Sequence, residues 1–163
     1  MGQQFVGVVG PGDTGSSPDG QALESLAEEV GRRLAEAGAV VVCGGLGGVM
    51  AAACRGAAEA GGLTVGLLPG DDRAAANPWV TVPVATGLEE LRNGLVVRTA
   101  DALVAVGGAY GTLSEVALAL KAGKTVVGLG TWDLVRPDGK QDAGIVRAAT
   151  AAEAVEVVLH GGR

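Results

Sequence analysis

Aromatic side chains are nearly missing: one Phe, one Tyr and two Trp make up 2% of 163 residues. That argues against a single-strand nucleic-acid platform, which stacks bases on rings. Basic residues are outnumbered, with 12 Lys and Arg against 18 Asp and Glu and a net charge of −6. Binding a nucleic-acid backbone or an anionic membrane needs a basic face, so neither is expected as a partner. A small phosphorylated ligand remains compatible, because backbone N–H groups hold phosphate without net positive charge. There is one His, and the two cysteines, Cys43 and Cys54, have neither metal-like nor redox-like spacing. They read as small core residues, and no metal is predicted. No apolar run approaches the ~20 residues that span a bilayer. No charged n-region precedes an apolar stretch at the start, so the expected location is cytoplasmic.

What is present is Ala, Val and 29 glycines, within a composition that is 48% hydrophobic. Residues 1–163 are expected to form one domain. Phe5–Val9 is a β-branched apolar run that breaks at Gly10-Pro11-Gly12, the signature of a buried strand. A polar loop over 13–20 follows. Leu23, Leu26, Val30 and Leu34 then recur at helical spacing up to the stop at Gly38. Ala39–Cys43 is a second strand, Val49–Ala60 an Ala-rich helix and Leu63–Leu68 a third strand. The stretch 71–78 has no assignable pattern. Trp79–Val84 reads as an edge strand, because Pro83 cannot donate to a ladder. Leu88–Thr99 is helical, Leu103–Val106 a strand, and the next helix runs to about Ala122 with Thr112 as its N-cap. Thr125–Leu129 is a strand, 136–139 a turn, and Thr150–Leu159 a closing helix. Alternation at this rhythm means βαβ units: an α/β fold with a parallel sheet and helices on both faces.

Three strand ends carry glycine loops: Gly10-Pro11-Gly12, Gly44-Gly45-Leu46-Gly47-Gly48 and Gly107-Gly108-Ala109-Tyr110-Gly111-Thr112. In open α/β sheets, ligands bind beyond the carboxyl ends of the strands. Glycine lets backbone approach a phosphate, and the following helix N-terminus offers unpaired N–H groups. One such loop would only end a strand. Three on one rim point to a phosphate site. No Gly-Lys-Ser or Gly-Lys-Thr follows any of them, so this is not a P-loop. The first loop lacks the full dinucleotide fingerprint, and Cys43-Gly44 stand where an acidic residue would hold a ribose. A conventional dehydrogenase is disfavoured.

The run Gly107-Gly108-Ala109-Tyr110-Gly111-Thr112-Leu113-Ser114-Glu115 resembles the P-G-G-x-G-T-x-x-E motif of the LOG family, once misnamed lysine decarboxylases. Ala100-Asp101-Ala102 and Gly44-Gly45-Leu46-Gly47-Gly48-Val49-Met50 resemble that family too, so the likeness runs from about Val6 to Leu129. It implies a three-layer Rossmann-like fold. LOG enzymes release the base from nucleoside monophosphates, and Glu115 matches their catalytic glutamate. Their arginine finds no match: aligned on Asp101 its position falls on Leu95, with Arg92 and Arg98 about one helical turn away. The motif proline is replaced by Gly107 and its second glycine by Ala109. Leu91-Arg92-Asn93 and the stretch from Gly111 to Ala119 are more similar to a sister branch that includes the molybdenum cofactor carrier proteins.

These readings nominate Gly10, Gly12, Gly44, Gly45, Gly47, Gly48, Met50, Arg92, Asn93, Gly107, Gly108, Tyr110, Gly111, Thr112 and Glu115 as ligand-binding residues. Glu115 would be catalytic only in an enzyme. It could equally serve as capping-box partner of Thr112. Tyr110 could stack on a base or simply shield the site. Glu89-Glu90 read as a solvated first turn of a helix, and His160 as a surface residue. The expected function is binding or carriage of a phosphorylated small molecule, a nucleotide or a cofactor such as molybdopterin; the cofactor itself is not named by the sequence. The alternative is a phosphoribohydrolase. The resemblance further implies a homodimer or dimer of dimers, with the smooth faces of 51–60 and 116–122 as candidate contacts.

Overall fold

A computed structural model describes residues 2–161. The elements run β1 (Phe5–Val9), α1 (Pro18–Glu36), β2 (Val40–Cys43), α2 (Val49–Glu59), β3 (Thr64–Leu68), β4 (Val82–Ala85), α3 (Arg92–Thr99), β5 (Ala102–Val106), α4 (Tyr110–Lys121), β6 (Val126–Leu129), β7 (Ile145–Arg147) and α5 (Ala151–His160). All seven strands are parallel, in the order β4-β3-β2-β1-β5-β6-β7. The chain winds outward from β1 to β4, then returns to place β5 on the other side of β1. That reversal opens a crevice at the carboxyl ends of β1 and β5.

Side chains alternate across the central strands, as the pleat requires. Val6 and Val8, with Val104 and Val106, pack against Ala27, Val30, Leu34, Ala53 and Val155 of α1, α2 and α5. Val42, Leu103 and Ala105 pack on the other face against Val96, Val97 and Val116 of α3 and α4. The three expected layers are present. Small residues let α1 and α2 approach closely: a Cβ on Gly31 would lie 2.0 Å from the Ala53 carbonyl oxygen. The inner face of α2 is therefore consumed within the protomer. Cys43 and Cys54 are buried as expected, with their sulfurs 3.4 Å apart.

Four local readings need correction. Helix α1 starts within the expected loop, because the Ser17 hydroxyl accepts from the Gly20 N–H at 3.1 Å and Pro18 fits the first helical position. The stretch from Leu88 is broken: a 3-10 turn, Glu89–Leu91, precedes α3. Strand β7 was not foreseen, since three residues carry too little pattern. The fourth is the capping box. Helix α4 begins at Tyr110 with Ala109 as an uncapped N-cap, so Thr112 lies inside the first turn and Glu115 in the second. Glycines 107 and 108 already complete the turn out of β5, and the helix starts three residues early. The edge position of β4, and with it Pro83, is as expected.

No helix among the described residues is long and apolar enough to cross a membrane. None of their His, Cys, Asp and Glu side chains form a group of three or more that could hold a metal ion.

Candidate functional site

The crevice holds a pocket of about 400 Å³ lined by Gly10, Gly12, Met50, Pro69, Glu89, Glu90, Arg92, Asn93, Ala109, Gly111, Thr112 and Glu115. Each wall comes from a strand end or a helix start. Gly10 and Gly12 follow β1, Met50 opens α2, and Ala109 to Glu115 form the first turns of α4. The 3-10 turn and the first residues of α3 close the remaining side.

Gly48 makes the junction with α2 possible. Its φ is +60°, and a Cβ would lie 2.3 Å from the Pro11 carbonyl oxygen. Both facts require glycine. The Val49 N–H donates to that same oxygen at 3.0 Å, tying the first two glycine loops together. Glu89 is the one non-glycine residue among those described with positive φ, at 48°, and it stands on the pocket rim.

Arg92 is the unusual group. Its side chain is only 9% exposed and lies over Gly44, where a Cβ would come within 2.7 Å of the guanidinium carbon. One guanidinium nitrogen, Nη1, donates to Asn93 Oδ1 at 2.6 Å. Asn93 Nδ2 in turn donates to Ser114 Oγ at 3.0 Å, and Ser114 Oγ donates to the Gly111 carbonyl at 2.6 Å. This chain of bonds locks the start of α3 to the start of α4. Arg92 Nε, however, is buried without any partner, as is Thr112 Oγ1. Buried polar atoms are nearly always bonded, so two orphans in one pocket call for an acceptor that arrives from outside.

Glu115 faces the same pocket and is 6% exposed. Burial pushes its carboxyl up to about 7; the positive charge of Arg92 pulls the other way and offsets only part of that. At neutral pH the group is therefore poised between acid and carboxylate.

Of the nominated residues, Gly10, Gly12, Met50, Arg92, Asn93, Gly111, Thr112 and Glu115 line the pocket. Gly44 supports Arg92 from behind. Gly45 is turned away, its N–H donating to Cys43 Sγ at 3.3 Å and its carbonyl accepting from Asn77 N–H at 2.9 Å. Gly47, Gly48, Gly107 and Gly108 shape the backbone without lining the pocket, and Tyr110 stands outside it, 83% exposed. Arg98 is far from this group, in a dimple between α3 and α4. Pro69, Glu89, Glu90 and Ala109 were not nominated; Glu89 and Glu90 reach the rim because the 3-10 turn carries them there. Trp132, whose indole N–H donates to the Ala109 carbonyl at 3.1 Å, also went unnoticed. It comes from the loop after β6, and nothing in its neighbours marks it.

The model of the SLOG cluster4 family matches residues 3–157. The chain belongs to that family. An uncharacterized protein of Archaeoglobus fulgidus is 42% identical to this SLOG cluster4 chain over 124 residues, covering 76% of this chain and 78% of its own. The molybdenum cofactor binding protein of Rippkaea orientalis superposes with a TM-score of 0.85 at 33% identity, over 98% of this chain and 97% of that one. The Moco carrier protein of Chlamydomonas reinhardtii does so with a TM-score of 0.81 at 37% identity, over 96% of both chains.

Proposed function

We propose that this SLOG cluster4 protein binds or carries a phosphorylated small molecule of the nucleotide or molybdopterin class. The observation that carries the reading is the pair of orphaned donors, Arg92 Nε and Thr112 Oγ1, in one pocket at the start of α4. A phosphoryl oxygen between them would satisfy both. The free N–H groups and dipole of α4 would add to the attraction. The molybdenum cofactor proteins among its structural neighbours support a cofactor of that size and charge. Purified protein is the first test: ligand released by denaturation and identified by mass spectrometry, together with thermal shifts in AMP, ribose 5-phosphate and inorganic phosphate. Stabilisation by phosphorylated compounds supports the reading. The absence of any shift at millimolar concentration refutes it.

A second reading keeps its place because Arg92 does enter the pocket beside Glu115. A carboxylate near a sugar and a cation for the phosphate are two requirements of a phosphoribohydrolase. Chromatography of AMP incubated with the protein decides it, since free adenine that disappears in Glu115→Gln would establish turnover. The carrier reading needs binding without release.

Assembly as a homodimer or a dimer of dimers is part of the proposal. The apolar face of α2 is covered by α1, and the proposed contact is Leu91 of the 3-10 turn with Leu95 of α3 and Leu118 of α4, exposed at 78%, 39% and 41%. A cytoplasmic location and a single domain over 1–163 go with it.

A further inference from the structure

This chain has four aromatic residues, and two of them meet next to residues that line the pocket. The rings of Tyr110 and Trp132 lie 5.8 Å apart between centroids, tilted by 30°. Tyr110 is the first residue of α4, and Ala109, Gly111 and Thr112 on either side of it line the pocket. Resting on the phosphate reading above, we infer that the Tyr110–Trp132 pair is a shelf for a planar heterocyclic ring attached to the bound phosphate.

The shelf is built in advance. The Trp132 indole N–H donates to the Ala109 carbonyl at 3.1 Å. Its Nε1 occupies the space over Gly108, where a Cβ would come within 2.9 Å. The Trp132 carbonyl accepts from Arg147 Nη2 at 3.3 Å. The next residue, Asp133, pairs with Arg147 and accepts from Gln141 Nε2 at 3.1 Å. Trp132 is thus held from both sides of its loop, and it holds Tyr110 in turn. Yet Tyr110 remains 83% exposed. Its ring contributes little to the core, which is made of Val, Ala and Leu. An exposed ring fixed on a second ring is a stacking surface for which the fold itself has no use.

The geometry also names a class of ligand. The orphaned donors belong to Arg92 and Thr112, which line the pocket, and the ring is carried by Tyr110, two residues before Thr112 in the first turn of α4. A molecule that fills both carries an anionic group at one end and a planar, π-rich ring at the other. Guanine and pterin share the amino-oxo-pyrimidine unit, so GMP is a suitable probe. Ribose 5-phosphate is GMP without its ring.

The experiment uses Trp79→Phe, which leaves Trp132 as the sole tryptophan. Its emission is followed during titration with GMP, ribose 5-phosphate and inorganic phosphate, over times in which chromatography shows GMP intact. GMP should quench Trp132 saturably and bind about 5- to 150-fold tighter than ribose 5-phosphate, the range that stacking one base gives. Tyr110→Ala should bring GMP down to the level of ribose 5-phosphate, and Tyr110→Phe should keep the preference. Equal affinity for both compounds, with Trp132 emission unchanged, overturns the shelf and leaves the phosphate site standing. So does a preference for GMP that survives Tyr110→Ala. If none of the three compounds binds, the phosphate reading fails and the shelf falls with it.

Discussion

Replacing Glu115 by Gln should remove a specific pH dependence of stability. In the folded protein burial raises this carboxyl from 4.5 to about 7. In the unfolded chain it returns to its ordinary value. Between those limits the folded state holds a proton that the unfolded state has lost, so stability falls as pH rises. The contribution is fully present below about pH 4.5 and gone once pH has passed through about 7. At about 1.4 kcal/mol per pH unit the whole span is worth about 3 kcal/mol, of which about 2.5 lies between pH 5 and pH 8. Other carboxylates and the single His add a background of their own. The quantity to measure is therefore the difference between wild type and Glu115→Gln, by urea denaturation at half-unit steps from pH 5 to 8. That difference should fall most steeply at about pH 6, between the two values, and flatten towards pH 8. Removing the cation with Arg92→Met should move the fall to higher pH, because Arg92 is what pulls the Glu115 carboxyl downward. Parallel curves for wild type and Glu115→Gln would refute the reasoning, as would a difference that grows with pH.

Thr112→Val should leave the fold intact or stabilise it by about 1 kcal/mol, since it removes a buried hydroxyl that has no partner, while weakening phosphate binding about tenfold; denaturation and phosphate titration separate the two effects. Gly48→Ala should cost about 2 kcal/mol or more, because the backbone sits at φ +60° and the new Cβ meets the Pro11 carbonyl oxygen; a lowered midpoint in urea checks it. Leu91→Lys should halve the mass seen by light scattering at micromolar concentration if the 3-10 turn, α3 and α4 form the contact between copies, and an unchanged mass would clear that face of the role.

Much of this molecule is legible in its sequence because the signals are repeated. Apolar runs ending in glycine recur along the chain, and each βαβ unit constrains the next, so sheet type, layers and the rim that carries the pocket follow from pattern. Single-copy local signals were less reliable. Thr112 and Glu115 have the spacing of a capping box, yet the helix starts three residues earlier and both residues line the pocket. The same spacing serves a cap or an inward-facing pair, and only the path of Gly107-Gly108 decides between them.

Arg92 shows the same division. An ungapped alignment on Asp101 sets it one helical turn from the arginine of LOG enzymes, and α3 runs unbroken from Arg92 to Thr99, so that offset stands in the structure. The 3-10 turn over Glu89–Leu91 starts α3 at Arg92 and aims its side chain across Gly44. Trp132 comes from a loop that has no periodicity, and its meeting with Tyr110 depends on β5 and β6 being neighbours in the sheet. Composition and periodicity act through burial, which averages over many residues, so the sequence by itself determined the class of fold and the rim on which the candidate site lies. Which donors are left without partners, which carboxyl is held near neutrality and which rings meet depend on the positions of a few atoms brought together from distant segments, and those were decided only by the tertiary structure.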